Sequence, residues 1–234
     1  MTLHNHINES KKLHEQSKHY GMAEAYKQKT SYKSMFRITE AIKSVNQDKL
    51  IIDSVLDYGT GKGGLISLLK DSLDSTIKVQ GYDPCVPQFE TKPSRKFKLI
   101  TCIDVLEHID RSQITQTLNN IKLLNEGIFF YIIDLIPARK SLSDGRNAHI
   151  MLAPPEWWSQ QLSSIFTLNI NFQLGRLPDG SNFPLRFIGC SANETFYFDI
   201  ATNFLKATLL CQQQWILNND GNSFKKLMQE MHSH

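Results

Sequence analysis

Residues 55–65 read VLDYGTGKGGL. An apolar run over residues 50–58 ends at Gly59. Gly61, Gly63 and Gly64 follow, and then Leu65, Ile66, Leu68 and Leu69 recur at helical spacing. That order reads as strand, glycine turn and amphipathic helix. Glycines let the backbone turn tightly and let a ligand approach its peptide groups. The helix start beyond them offers free N–H groups and the positive end of a dipole, which suits a carboxylate or phosphate. The next alternating stretch, TIKVQGY at 76–82, ends in Asp83-Pro84, 26 residues after Asp57. A carboxylate placed there can accept hydrogen bonds from both hydroxyls of a ribose. The loop is not a Walker A motif, because no Gly-Lys-Ser/Thr follows four residues after a glycine.

Outward from this unit, residues 97–103 (FKLITCI) read as a third strand and 110–124 as a helix. Residues 127–136 (GIFFYIIDLI) form a continuous apolar run, as a parallel strand buried on both faces should. A polar loop spans 137–155, and Pro155 opens a helix running to about residue 164. Two alternating runs, 166–174 and 183–192, flank turn residues and read as an antiparallel pair. Residues 8–47 read as helical, broken near Gly21, with Met22, Tyr26, Met35, Phe36, Ile42 and Val45 as the apolar positions. Residues 195–215 and 223–231 read as helical too. Strands alternating with helices predict an α/β three-layer sandwich.

The chain has 234 residues, 41% hydrophobic and 21% charged, an ordinary globular composition. Four scattered cysteines without a CxxC pair exclude a disulfide scaffold and a cysteine zinc ribbon. The longest strongly apolar stretch is about half of the ~20 residues that a spanning helix needs. The polar start lacks the apolar region of a signal peptide, so a cytoplasmic setting is expected. Residues 1–50 hold nine Lys/Arg against five Asp/Glu, and the remainder is near neutral. That is too weak a basic balance to argue for nucleic acid on its own.

The stretches VLDYGTGKGGL (55–65), GYDP (81–84) and LITCIDVLEHID (99–110) together resemble the consecutive motifs of class I S-adenosylmethionine (SAM)-dependent methyltransferases. DYGTGKG, CIDVLEH, SDGRNAH (143–149) and EWW (156–158), with Tyr20-Gly21 ahead of them, resemble an uncharacterised bacterial and phage branch of that family. The resemblance implies a Rossmann-like sandwich with a seven-stranded, mostly parallel sheet and a C-terminal antiparallel hairpin. It also implies cofactor contacts along Asp57, Tyr58, Gly59, Thr60, Gly61, Lys62 and Gly63. Gly59 and Gly61 would pass under the methionine part, Asp83-Pro84 would meet the ribose, and Ile103 and Asp104 would lie beside the sulfonium. The 13 residues between Asp83 and Phe97 are too few for the family's usual helix and third strand.

Asp104, Glu107, His108 and His149 form a second constellation. If residues 104–108 begin a helix, their side chains can converge on one side of the sheet edge. Two carboxylates and two imidazoles suit Mg²⁺, Mn²⁺, Co²⁺ or Zn²⁺. The set resembles the Glu-x-x-Glu-His plus distant His of the small-RNA 3′-terminal 2′-O-methyltransferases, with Asp in place of the first Glu. Without a metal, His108 or His149 could serve as general base. Asp104, His108 and His149 are therefore the candidate catalytic residues. Arg146 is the candidate contact for an anionic or polyhydroxylated acceptor, with Asp144 as its competing internal partner, and Trp157 a candidate pocket floor.

These readings predict a helical leader or lid over 1–49, a methyltransferase core over 50–194 and packing helices over 195–234. The expected function is methyl transfer from SAM to a hydroxyl of a small molecule or sugar, with a divalent metal as a candidate aid. An RNA 3′-end acceptor and a non-catalytic SAM-binding subunit are the alternatives. The acceptor and the oligomeric state are not legible in the sequence.

Overall fold

The apolar run of residues 50–58 supplies the first strand of a single sheet. In the computed structural model, which describes residues 3–16, 37–174 and 186–218, β1 (Ser54–Tyr58) pairs in parallel with β2 (Lys78–Tyr82) and β3 (Phe97–Ile103). β3 pairs in parallel with β4 (Asn125–Asp134). β4 pairs antiparallel with β6 (Arg186–Ala192), and β6 antiparallel with β5 (Leu168–Leu174). The order is β2-β1-β3-β4-β6-β5.

The described sheet therefore has six strands, not the expected seven. The segment after Asp83 makes one turn of 3-10 helix, Pro87–Phe89, and reaches β3 without entering the ladder. A 13-residue connection leaves room for no more.

Side chains alternate across the sheet, so each strand feeds two cores. Val55, Leu99, Phe130 and Ile188 point to one face. There they meet α2 (Ile38–Val45), α3 (Gly64–Ser72) and α6 (Thr195–Asn218) through Ile42, Leu65 and Phe204. Leu56, Ile100, Phe129 and Phe187 point to the other face, where α4 (Ile114–Leu124) and α5 (Pro155–Ile165) bury Leu118 and Trp158. This is the three-layer sandwich. Trp158, the largest wholly buried side chain among the described residues, packs on the sheet side of α5, while Trp157 is half-buried. α1 (Leu3–Gln16) precedes these elements. None of the described helices is long and apolar enough to cross a membrane.

Several boundaries differ from expectation. β4 starts and ends two residues early, because a bulge shifts its register between Phe97 and Leu99 and Asp134 turns its N–H to the Glu107 side chain. Residues 104–108 do not begin a helix. Asp104 adopts φ +54°, Leu106–His108 make one 3-10 turn, and α4 starts only at Ile114. The readings that rest on Tyr20, Gly21, Met22, Tyr26, Met35, Phe36 and residues 223–231 lie outside the described residues.

Candidate active site

The parallel strands β1 to β4 end on one edge, at Tyr58, Tyr82, Ile103 and Asp134. Open α/β sheets bind ligands beyond that edge. The glycine loop turns there. Gly59, Gly61 and Gly63 all have positive φ (77°, 55° and 76°). At Gly59 an added Cβ would stand 2.4 Å from the Val105 side chain, so the turn needs glycine for space as well as for φ.

Buried Asp83 reaches the loop. One carboxylate oxygen accepts from Gly61 N–H at 2.9 Å and the other from Cys85 N–H at 2.8 Å. A carboxylate has about four acceptor positions, so each oxygen keeps capacity for a hydroxyl. Asp57 is buried behind the loop and accepts from the Thr101 hydroxyl at 2.8 Å, which ties β1 to β3. The buried Thr60 hydroxyl has no hydrogen-bond partner among the described residues. Tyr58 and Tyr82 stack edge to face at the strand ends, 5.2 Å between centroids. A cradle of left-handed glycines, an anchored carboxylate and an orphaned hydroxyl suits a nucleoside-bearing ligand such as SAM.

Beside this cradle, Glu107, His108 and His149 each offer a donor atom within 4.8 Å of the others'. His108 Nδ1 lies 2.8 Å from the Ala148 carbonyl oxygen, and His149 Nδ1 lies 2.6 Å from that of Ile136. A carbonyl only accepts, so each Nδ1 carries a proton, and the tautomer fixed in this way has Nε2 as its ligating or basic atom. Ligating histidines are held in this tautomer in the same way. Glu107 is wholly buried, and its Oε1 accepts from Asp134 N–H at 2.9 Å. Burial, and then the charges of Asp104 and Asp134, push its carboxyl well above the usual carboxylate range. This donor set of one carboxylate and two imidazoles is suited to a divalent cation.

Asp104 does not share a triad with the two histidines. It groups instead with Glu107 and Asp134. Asp134 sits in a nearly buried ion pair with Arg186, 2.6 Å from Nε. Sequence reasoning passed over both residues, although an Asp inside FFYIIDLI is a signal in itself.

The 138–149 loop is folded on Asn147. Its Oδ1 accepts from Ala138 N–H and His149 N–H, and its Nδ2 donates to the Ala138 carbonyl. Arg146 pairs with Asp144 at 2.7 Å on the half-exposed rim of this loop. The Trp157 ring carries the Arg111 guanidinium at 5.1 Å. Neither Arg146 nor Trp157 belongs to the carboxylate and imidazole cluster.

α1 crosses the same edge. Ser10 hydrogen-bonds the Cys85 thiol, Lys11 lies 3.9 Å from Glu90, and Glu9 accepts from the Ser143 hydroxyl. His14 is turned toward Asp83 and Lys62, and burial lowers its pKa. The helix thus touches both the turn after Asp83 and the 141–146 loop.

A profile of the methyltransferase domain family matches residues 14–168. Among solved structures, the fold is similar to that of the 1,6-didemethyltoxoflavin-N1-methyltransferase of Burkholderia thailandensis, determined with 1,6-didemethyltoxoflavin and S-adenosylhomocysteine bound. Identity is 14%, coverage is 82% of this chain and 90% of that one, and the TM-score is 0.52. The DhpI complex with SAH aligns at 14% identity over 82% of this chain and 100% of that one, with a TM-score of 0.49. The methyltransferase domain of bacterial CtHen1-C aligns at 15% identity over 69% of this chain and 97% of that one, with a TM-score of 0.48. No curated protein sequence matches the chain.

Proposed function

The chain belongs to the methyltransferase domain family and is a SAM-dependent methyltransferase; from that premise we propose that it methylates a hydroxyl oxygen of a small molecule or sugar with the aid of a divalent cation. The observation that carries this reading is the pair of imidazoles, His108 and His149, whose Nδ1 atoms are fixed on backbone carbonyls beside buried Glu107.

When bound, SAM supplies a methyl group on a sulfonium for in-line displacement, so the protein's part is mainly alignment. Gly59 and Gly61 bring backbone within reach of the methionine portion, with Tyr58, Thr60, Lys62 and Gly63 completing the cradle. Asp83 accepts the ribose hydroxyls, with Pro84 ending the strand beneath them. Asp57 stiffens the loop through Thr101. Ile103 and Asp104 close the sulfonium side, and α1 covers the edge as a lid.

Glu107, His108 and His149, with Asp104 alongside, would hold Mg²⁺, Mn²⁺, Co²⁺ or Zn²⁺, which lowers the pKa of a bound hydroxyl and orients it. In the absence of a cation, the same Nε2 atoms of His108 and His149 accept the acceptor's proton. Arg146 contacts an anionic or polyhydroxylated acceptor by exchanging its bond to Asp144, and Trp157 borders the acceptor side. We place it in a reducing, cytoplasmic setting, in keeping with the buried, reduced thiols of Cys102 and Cys190.

Native mass spectrometry of freshly purified protein tests this reading. It is expected to show SAM or its demethylated product together with one or more divalent ions. Cofactor without metal assigns the histidines as bases. A protein that takes up neither, even when both are added, overturns the proposal.

A further inference from the structure

In the fold, the four residues grouped by their sequence spacing fall, with Asp134 added, into two triads that share one side chain. Glu107, His108 and His149 make the first, and Asp104, Glu107 and Asp134 make the second. In the second, one oxygen from each carboxylate lies within 4.8 Å of the others. Ligands on opposite sides of Mg²⁺ stand about 4.2 Å apart, twice its bond length, and those on larger cations somewhat farther. The spacing therefore suits an ion at the centre.

Two further facts point into this space. Glu107 is wholly buried, and its Oε2 has no hydrogen-bond partner among the described residues. A buried carboxylate oxygen left unpaired is costly unless something positive reaches it. Asp134 is also fixed in place, since Arg186 holds one of its oxygens at 2.6 Å across the β4–β6 pair. Outer partners of this type orient ligating carboxylates.

We propose that Asp104, Glu107 and Asp134 form an all-oxygen seat for a hard divalent cation, Mg²⁺ or Mn²⁺, next to the nitrogen-bearing seat of Glu107, His108 and His149. This extends the cation reading above and rests on it for the second seat only. The two seats differ in chemistry. Three carboxylates favour Mg²⁺ and Mn²⁺, whereas two imidazoles favour Co²⁺ and Zn²⁺. Because Glu107 belongs to both, filling one seat alters the ligand field of the other.

The test is metal binding by the full-length protein, free of any assay of turnover. Mn²⁺ binding is followed by the paramagnetic resonance signal of the free ion, and Co²⁺ binding by its visible absorption. The His108→Ala/His149→Ala double variant is expected to lose the Co²⁺ band and to keep one Mn²⁺ site within about threefold of its wild-type affinity. Asp134→Asn, which keeps the shape beside Arg186, is expected to keep the Co²⁺ band and to weaken Mn²⁺ at least about tenfold. Asp104→Asn is a second variant on the opposite side of the seat. Asn tolerates the left-handed backbone found there, and the expected weakening is the same. Added Mn²⁺ should shift the Co²⁺ band of the wild type through the shared Glu107.

Loss of all Mn²⁺ binding in the histidine variant, with Asp134→Asn at wild-type affinity, overturns the oxygen seat and leaves the histidine seat standing. A wild-type protein that binds Mn²⁺ but shows no Co²⁺ band does the reverse. A protein that binds neither ion overturns both.

Discussion

The imidazoles of His108 and His149 meet edge to face, with centroids 4.7 Å apart and planes at 78°. They come from a 3-10 turn after β3 and from a loop after β4, and each is fixed by a different backbone carbonyl. Each also offers a donor atom within 4.8 Å of the other and of Glu107. His149→Ala should lower kcat by at least about 100-fold, consistent with loss of a metal ligand or general base. The melting temperature should move by only a few degrees. Wild-type turnover in this variant would falsify both roles.

Asp83 is expected to govern cofactor affinity. It holds the Gly61 and Cys85 N–H groups, and its spare acceptor positions are the proposed ribose contacts. Hydrogen bonds to a charged group are worth about 1.5–3 kcal/mol each. Asp83→Ala should weaken binding of S-adenosylhomocysteine by at least about 30-fold in calorimetry. An unchanged affinity would leave Asp83 as a loop anchor alone.

Gly59 should tolerate no side chain. The backbone there has φ +77°, and a Cβ would lie 2.4 Å from Val105. The left-handed conformation alone costs an L-residue about 1–2 kcal/mol. At about 2–4 °C per kcal/mol for a chain of this size, the backbone part of Gly59→Ala should lower the melting temperature by about 2–8 °C, and the clash should add to it. Combining it with Val105→Ala should recover the steric part and leave the conformational part. Full recovery would show that the backbone penalty is absent.

Stability should fall on the alkaline side. Burial pushes the Cys85 thiol up to about 12 and raises Cys102, Cys190, Tyr58 and Tyr131 as well. For these acids the folded chain keeps protons that the unfolded chain releases. Stability is thus fully present below the unfolded pKa values and declines above them. For the thiols the decline starts near pH 8.5, and each titrating group contributes up to about 1.4 kcal/mol per pH unit. Urea melts at pH 7 to 10.5 should show a falling midpoint, and Cys102→Ala should show a shallower fall. A flat midpoint across that range contradicts the burial argument.

The glycine turn, Asp83 and the alternation of apolar residues were legible because each is a local pattern whose period or spacing survives in one dimension. Glu107, His108 and His149 stood out through the resemblance, and in the fold each offers a donor atom within 4.8 Å of the others'. Asp134 and Arg186 were not legible. Their ion pair depends on an antiparallel register between segments some fifty residues apart, with a helix and another strand in between. The displacement of Asp104 from the histidine group has a similar origin. Helical spacing places residues i, i+3 and i+4 on one side, but the left-handed turn at Asp104 breaks that geometry. The role of Asn147 as the clasp of the histidine-bearing loop rests on side-chain bonds to a backbone nine residues away.

The connection from Asp83 to Phe97 bypasses the ladder, which makes β2 the outermost described strand on its side. Residues 84–96 therefore bear on what lies against Asp83 without fixing the register that aligns Tyr58, Ile103 and Asp134. They are tied to the glycine loop instead, since Asp83 N–H donates to the Phe89 carbonyl and the Phe89 ring stands against Gly63 and Gly81. A change of length in 84–96 would thus be felt first at Asp83 and the glycine turn, while the sheet carrying Ile103 and Asp134 keeps its alignment.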